Sequence, residues 1–210
     1  MNKQKQNILI LVLGFCLCTS IVVVSRWNFQ NTYEQQVALA KTTNEQTIDK
    51  VQDILDTAEK TLQKKDVALP AEGDAYASVS VERISFTNTV YYGDTDEILN
   101  KGIGHYMGSK LPGEGGVILL AGHNGTEFYQ LRNVKKEDIV KLHTSYGEYT
   151  YQIYDMKIME ASDFTSDDLI SDKETLIMYC CYPFDELGTS QRYFVYASYI
   201  SGPKLKEDAS

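Results

Sequence analysis

The sequence predicts an all-β fold, a closed barrel of seven or eight strands with short helices, preceded by a transmembrane helix and a helical stalk. Three observations predict it. From residue 76 onward, short runs of alternating apolar residues follow one another, separated by turns rich in Gly, Pro and Asp. Fifteen Tyr and seven Phe in 210 residues suit half-buried strand faces. Residues 8–24 form one uncharged apolar run near the N-terminus.

The elements read in order as follows. Residues 1–6 form a short cytoplasmic tail carrying Lys3 and Lys5. Residues 7–25 form a signal anchor: an apolar stretch near the short end of what crosses a hydrocarbon core of roughly 30 Å. Arg26 and Trp27 follow it, with the indole where an interfacial anchor sits. A cleaved signal peptide is the competing reading, but no small-x-small site directly follows the apolar run. Two Lys before the run against one Arg after it place the N-terminus on the cytoplasmic side, at the cell membrane, and the rest outside. Cys16 and Cys18 inside the run read as packing or bilayer-facing residues.

Residues 26–74 read as a helical stalk or linker. Ile48, Val51, Leu55, Ala58 and Leu62 recur at steps of three and four, a helical stripe too short for a firm coiled coil. Leu69-Pro70-Ala71-Glu72-Gly73 breaks the pattern, so the folded domain spans residues 75–203 and a tail covers 204–210. Strands are expected at 77–81, 88–92, 117–121, 139–142, 148–158, 175–180 and 193–200, with a short helix at 96–99. So many strands in about 130 residues point to a closed or nearly closed barrel.

Charge narrows the partners. Three basic residues and no acidic one precede Trp27; the remainder holds 17 basic against 29 acidic residues, a net −12. A body this acidic excludes a nucleic-acid backbone as partner.

Few side chains can do chemistry. His123 directly follows an apolar strand, in Leu120-Ala121-Gly122-His123-Asn124-Gly125, where a barrel presents polar groups at its rim. On its own it reads more readily as an ordinary loop residue than as a catalyst. His105, in a Gly-flanked turn, and His143, beside Thr144 and Ser145, read as structural or exposed. Cys180 and Cys181 are the only thiols after the apolar run. Neighbours in a strand point to opposite faces, so one sulfur enters the core and Cys181, at the strand end, is the candidate for exposure. Two buried structural cysteines are the alternative. Arg192 lies eleven residues after Cys181, across a stretch suited to a hairpin loop. If the two strands pair antiparallel, the guanidinium meets the sulfur, where it favours a thiolate and donates to an oxyanion; otherwise it is a solvent-facing Arg.

Taken together, these stretches resemble the sortases, cell-wall transpeptidases of Gram-positive bacteria. Lys101-Gly102-Ile103-Gly104-His105-Tyr106, Leu111-Pro112-Gly113-Glu114-Gly115-Gly116 and Ala121-Gly122-His123-Asn124 resemble the approach to the family's catalytic His. Thr175-Leu176-Ile177-Met178-Tyr179-Cys180-Cys181-Tyr182-Pro183-Phe184 and Gln191-Arg192-Tyr193-Phe194-Val195-Tyr196-Ala197 resemble the region of its catalytic Cys and Arg. The resemblance covers roughly residues 75–203, and the N-terminal anchor also matches. One departure is Cys180, which stands where the family usually has Thr.

The resemblance implies an eight-stranded barrel and three roles: Cys181 as nucleophile, His123 as general acid and base, Arg192 as the oxyanion donor. It implies that secreted proteins with a C-terminal LPxTG-like sorting signal are cleaved between Thr and Gly. The Thr carbonyl is then joined to an amine of a peptidoglycan precursor, or to another amine acceptor. Cys181-Tyr182-Pro183-Phe184 is more similar to the class D group; a pilin-polymerising sortase, with a pilin Lys as acceptor, is the alternative within the family. Outside it stand a papain-like cysteine peptidase, against which the His-before-Cys order speaks, and a non-enzymatic anchored scaffold. No cofactor is expected. Some relatives bind calcium; here Glu127, Glu137, Asp138, Asp167 and Asp168 read as a solvated acidic face.

Overall fold

A computed structural model of the chain describes residues 60–186 and 188–207, together with residue 35. The expected tail, the signal anchor and residues 26–59 of the stalk, residue 35 apart, lie outside the described residues. Among the described residues, no helix is long and apolar enough to cross a membrane. The chain divides after residue 52, and every element below belongs to the unit Asp53–Ser210.

Eight strands close a barrel: β2 (Ala75–Val81), β3 (Phe86–Tyr92), β4 (Ile103–His105), β5 (Val117–Ala121), β6 (Ile139–Thr144), β7 (Gly147–Glu160), β8 (Thr175–Tyr182) and β9 (Gln191–Ser201). Their order around the barrel is β2-β3-β4-β5-β8-β9-β7-β6. The pairs β3–β4 and β5–β8 are parallel; the other six contacts are antiparallel. One short helix, α1 (Asp96–Leu99), lies between β3 and β4, capped by Thr95, whose Oγ1 accepts from Ile98 N.

The two-residue period of each strand decides what enters the barrel. Val79 and Val81 of β2, Val140 and Leu142 of β6, and Tyr149, Tyr151 and Ile153 of β7 all point inward and are buried. On β8, Leu176, Met178 and Cys180 do the same. The apolar run of β5 is buried on both faces. Ile118 and Leu120 fill the interior, whereas Val117 and Leu119 join Ile177 and Phe194 in a second cluster on the outer face. Phe164 and Leu169, from the connection between β7 and β8, pack against that cluster from outside. A strand with a parallel neighbour and both faces covered reads as continuous rather than alternating hydrophobicity.

Three differences from the sequence expectations have physical reasons. Residues 102–106, expected as a Gly-flanked turn, contain β4. It is a three-residue strand, and Gly104 is there because a Cβ would sit 2.7 Å from the Gly93 carbonyl oxygen. Leu62, the last residue of the expected helical stripe, lies in β1 (Thr61–Gln63), not a helix. It pairs parallel with β10 (Lys204–Lys206), opposite Leu205, inside the expected C-terminal tail. The described residues 60–74 of the stalk contain strand, a 3-10 turn at Lys64–Asp66 and loop, because their backbone groups pair with the C-terminal strand instead of with each other. Lys64 adds ion pairs to Glu114 and Glu207.

Candidate active site

β5 and β8 run parallel with Ala121 opposite Tyr179, and Gly122 N donates to Tyr179 O at 3.2 Å. Two residues further along each chain stand His123 and Cys181. On the other side of β8, Cys181 is the register partner of Arg192 in antiparallel β9. The thiol and the guanidinium therefore come from two paired strands, β8 and β9, and the imidazole from the turn that follows their neighbour β5. Parity gives the thiol and the guanidinium one face: Ile177 and Tyr179 lead to Cys181, and Tyr196 and Phe194 lead to Arg192, while the turn that carries His123 follows β5 next to them.

The two thiols differ sharply. Cys180 is 1 % exposed and sits in the barrel core, where burial pushes its thiol up to about 12. At neutral pH it is a protonated, inert apolar group. Cys181 is half-buried, unpaired, and on the opposite face. Tyr179, one register step below it, stacks on Phe194 with ring centroids 5.3 Å apart. Burial raises its phenol; Asp94 and Cys181 add to this and Arg192 opposes it.

Arg192 is held by its backbone surroundings. Its Nη1 donates to the carbonyls of Thr189 at 2.7 Å and Gln191 at 2.9 Å. Nε and Nη2 make no hydrogen bond to the described residues, so a planar pair of donors is left for a ligand. His123 is exposed at the mouth of the turn that follows β5. That turn closes with Phe128 N donating to His123 O at 3.0 Å, and Asn88 Nδ2 braces it from β3 by donating to Glu127 O at 2.9 Å. Gly122 is required here: a Cβ would meet the Phe128 ring at 2.8 Å.

One contact that the sequence does not announce ties the imidazole-bearing turn to the loop after the thiol. Asn124 is 4 % exposed, and its Nδ2 donates to Pro183 O at 2.8 Å and to Glu186 O at 2.9 Å. Arg132 makes a second, exposed tie: it pairs with Asp185 at 3.0 Å and lies over the Tyr129 and Phe184 rings.

The remaining histidines lie elsewhere. His105 is buried between β3 and β5, hydrogen-bonded through Nδ1 to Tyr76 Oη at 2.5 Å and through Nε2 to Ser109 Oγ at 2.9 Å. His143 is exposed, 3.9 Å from Glu148. Among the described residues, no three His, Cys, Asp or Glu side chains converge to hold a metal ion. Asp138 is engaged by Arg83, which holds its carboxyl below the usual carboxylate range, and Asp168 caps the 3-10 turn that Thr165 opens.

A barrel whose rim offers a thiol, an imidazole and a guanidinium has the apparatus for acyl transfer through a thioester. The Sortase domain family model matches residues 79–200, and the chain belongs to the sortase family of cysteine transpeptidases. It is 35 % identical over 155 residues to Sortase D of Bacillus subtilis (strain 168), covering 72 % of this chain and 78 % of that protein. A Clostridium perfringens Sortase D5 transpeptidase superposes with a TM-score of 0.57 at 26 % identity, covering 66 % of this chain and 86 % of that one. A Clostridium perfringens sortase C solved with the C-terminal cell wall sorting motif gives 0.56 at 26 % identity, covering 62 % of this chain and 73 % of that one.

Proposed function

We propose that Cys181, His123 and Arg192 carry out sorting-signal transpeptidation: cleavage of an LPxTG-like motif between Thr and Gly, and transfer of the Thr carbonyl to an amine. What supports this reading is the register that pairs Cys181 with Arg192 and sets β5, whose following turn carries His123, beside β8. The Cys181 thiolate attacks the Thr carbonyl carbon, and the charge that develops on the carbonyl oxygen falls to the free guanidinium edge of Arg192. His123, as imidazolium, gives its proton to the leaving Gly nitrogen as the C–N bond breaks, leaving a thioester on Cys181. Neutral His123 then takes a proton from the incoming amine. The amine attacks the thioester, the new amide forms and the thiolate departs. Every bond change is accounted for by these three side chains and two substrates, so the reaction calls for no cofactor.

The acceptor is an amine of a cell-wall precursor, and the enzyme acts from the cell membrane through residues 7–25, N-terminus inside and barrel outside. A synthetic Leu-Pro-x-Thr-Gly peptide tests this. With triglycine added, a ligated product ending in Thr-Gly-Gly-Gly is expected; with no amine, slow release of the free Thr acid. Hydrolysis at the same rate with and without triglycine would overturn the transfer step. A pilin Lys side chain as a better acceptor than triglycine would select the polymerising alternative.

A further inference from the structure

The three proposed active groups sit on two separate segments: His123 on the turn after β5, and Cys181 and Arg192 at the two ends of the β8–β9 loop. Strand pairing sets the level of each, but β5 ends at Ala121 and β8 at Tyr182, so neither segment is held by the ladder beyond those points. We infer that Asn124 is the positioning residue that sets the imidazole against the thiol, by fastening the His123 turn to the loop that follows Tyr182, the residue after Cys181. This rests on the site assigned above.

The geometry supports a role beyond filling space. Both bonds run from Nδ2 to backbone carbonyls, which can only accept, so the amide's orientation is dictated by its partners. The partners lie 59 and 62 residues away along the chain, so the bonds join two segments instead of closing a local turn. They bracket the loop's first half, at Pro183 and Glu186. The side chain is nearly sealed from water, and losing its donors leaves Pro183 O with only the 3.3 Å bond from Glu186 N and takes away the bond to Glu186 O. The other tie between the segments, Arg132 to Asp185, is solvent-exposed, and such ion pairs constrain little. Asn124 contacts no reacting atom; its effect comes through the placement of its neighbour, and an error of about 1 Å in such a placement costs on the order of a hundredfold in rate.

The experiment uses the full chain with Asn124→Ala, Asn124→Ser, Cys181→Ala and Glu174→Gln, the last loosening the far end of the barrel. The sorting-motif peptide gives kcat and KM, iodoacetamide labelling of Cys181 between pH 5 and 9 gives a thiol profile, and thermal melting gives stability. The expected result is a kcat for Asn124→Ala at least tenfold below wild type with KM within twofold, and a displaced labelling profile. Asn124→Ser, which keeps one donor, should fall between, and Glu174→Gln should keep its kcat despite a lower Tm. Wild-type kcat in Asn124→Ala would overturn the inference. So would a kcat loss that Glu174→Gln matches at the same loss of Tm. Should Asn124→Ala fail to fold, Asn124→Ser decides: unchanged kcat and labelling profile overturn the inference. Turnover surviving Cys181→Ala would instead overturn the site on which it rests.

Discussion

Cys181 and Arg192 face each other as register partners across β8 and β9, on the outer face of the barrel, while Cys180 next to them points into the core. The arrangement makes two adjacent cysteines chemically unlike.

Labelling should separate them. With burial holding the Cys180 thiol up at about 12, iodoacetamide at pH 7.5 should modify Cys181 and leave Cys180 intact in the folded protein, as read by peptide mass mapping. Cys181→Ala should abolish peptide cleavage, whereas Cys180→Ala should retain much of it and lose about 1–2 kcal/mol of stability from the core cavity. Equal labelling of both sulfurs would contradict the face assignment.

Arg192→Lys should be costly although charge is conserved. The guanidinium spends Nη1 on two carbonyls and still presents a donor edge; an ammonium is a single point that cannot do both. A kcat reduction of about 10²–10³ is expected, with a smaller change in KM. A Lys variant within threefold of wild type would remove the oxyanion role.

His105 predicts an acid-sensitive fold. Burial lowers its pKa from 6.5 to about 4. Between these values the unfolded chain binds a proton that the folded protein refuses. Stability is therefore present in full above about pH 6.5 and declines as pH falls toward 4, by up to about 3 kcal/mol. Urea midpoints at pH 7, 5.5 and 4.5 should show the decline, and His105→Gln should flatten that segment of the curve.

Glu174 predicts a stability effect without an activity effect. Its carboxylate is buried and accepts from Tyr151 Oη at 2.7 Å and from the amides of Gly113 and Gly115 at 3.2 and 3.3 Å. Glu174→Ala should cost about 2–4 kcal/mol, because a buried hydroxyl and two amides lose their acceptor. Peptide turnover at 25 °C should be unchanged: Glu174 stands at the opposite end of β8 from Cys181, roughly 23 Å away at the rise of an extended strand.

Much of the barrel is legible locally. The alternation in residues 77–81 and 148–153 marks β2 and the first half of β7, and the Asp96–Leu99 helix follows from its Thr95 cap. The same reading fails where a strand is too short to show a period, as in β4, or where a helical stripe ends in a segment that finds a partner strand, as at Leu62. In β7 the period itself shifts: a bulge between Ile153 and Asp155 changes which residues face inward, and no local pattern states where that happens.

The sequence by itself determined that Cys180 and Cys181 lie on opposite faces, because side-chain direction in a strand alternates whatever the strand pairs with. Which of the two faces inward was decided by the packing: Leu176, Met178 and Cys180 fill the barrel, whereas Ile177, equally apolar, lies in the outer cluster. Only the tertiary structure decided that β5 lies beside β8, bringing the turn that carries His123 to the strand that carries Cys181, and that Asn124 reaches Pro183. Periodicity is a property of neighbours along the chain; strand adjacency comes from burying all eight inner faces at once, which no single segment encodes.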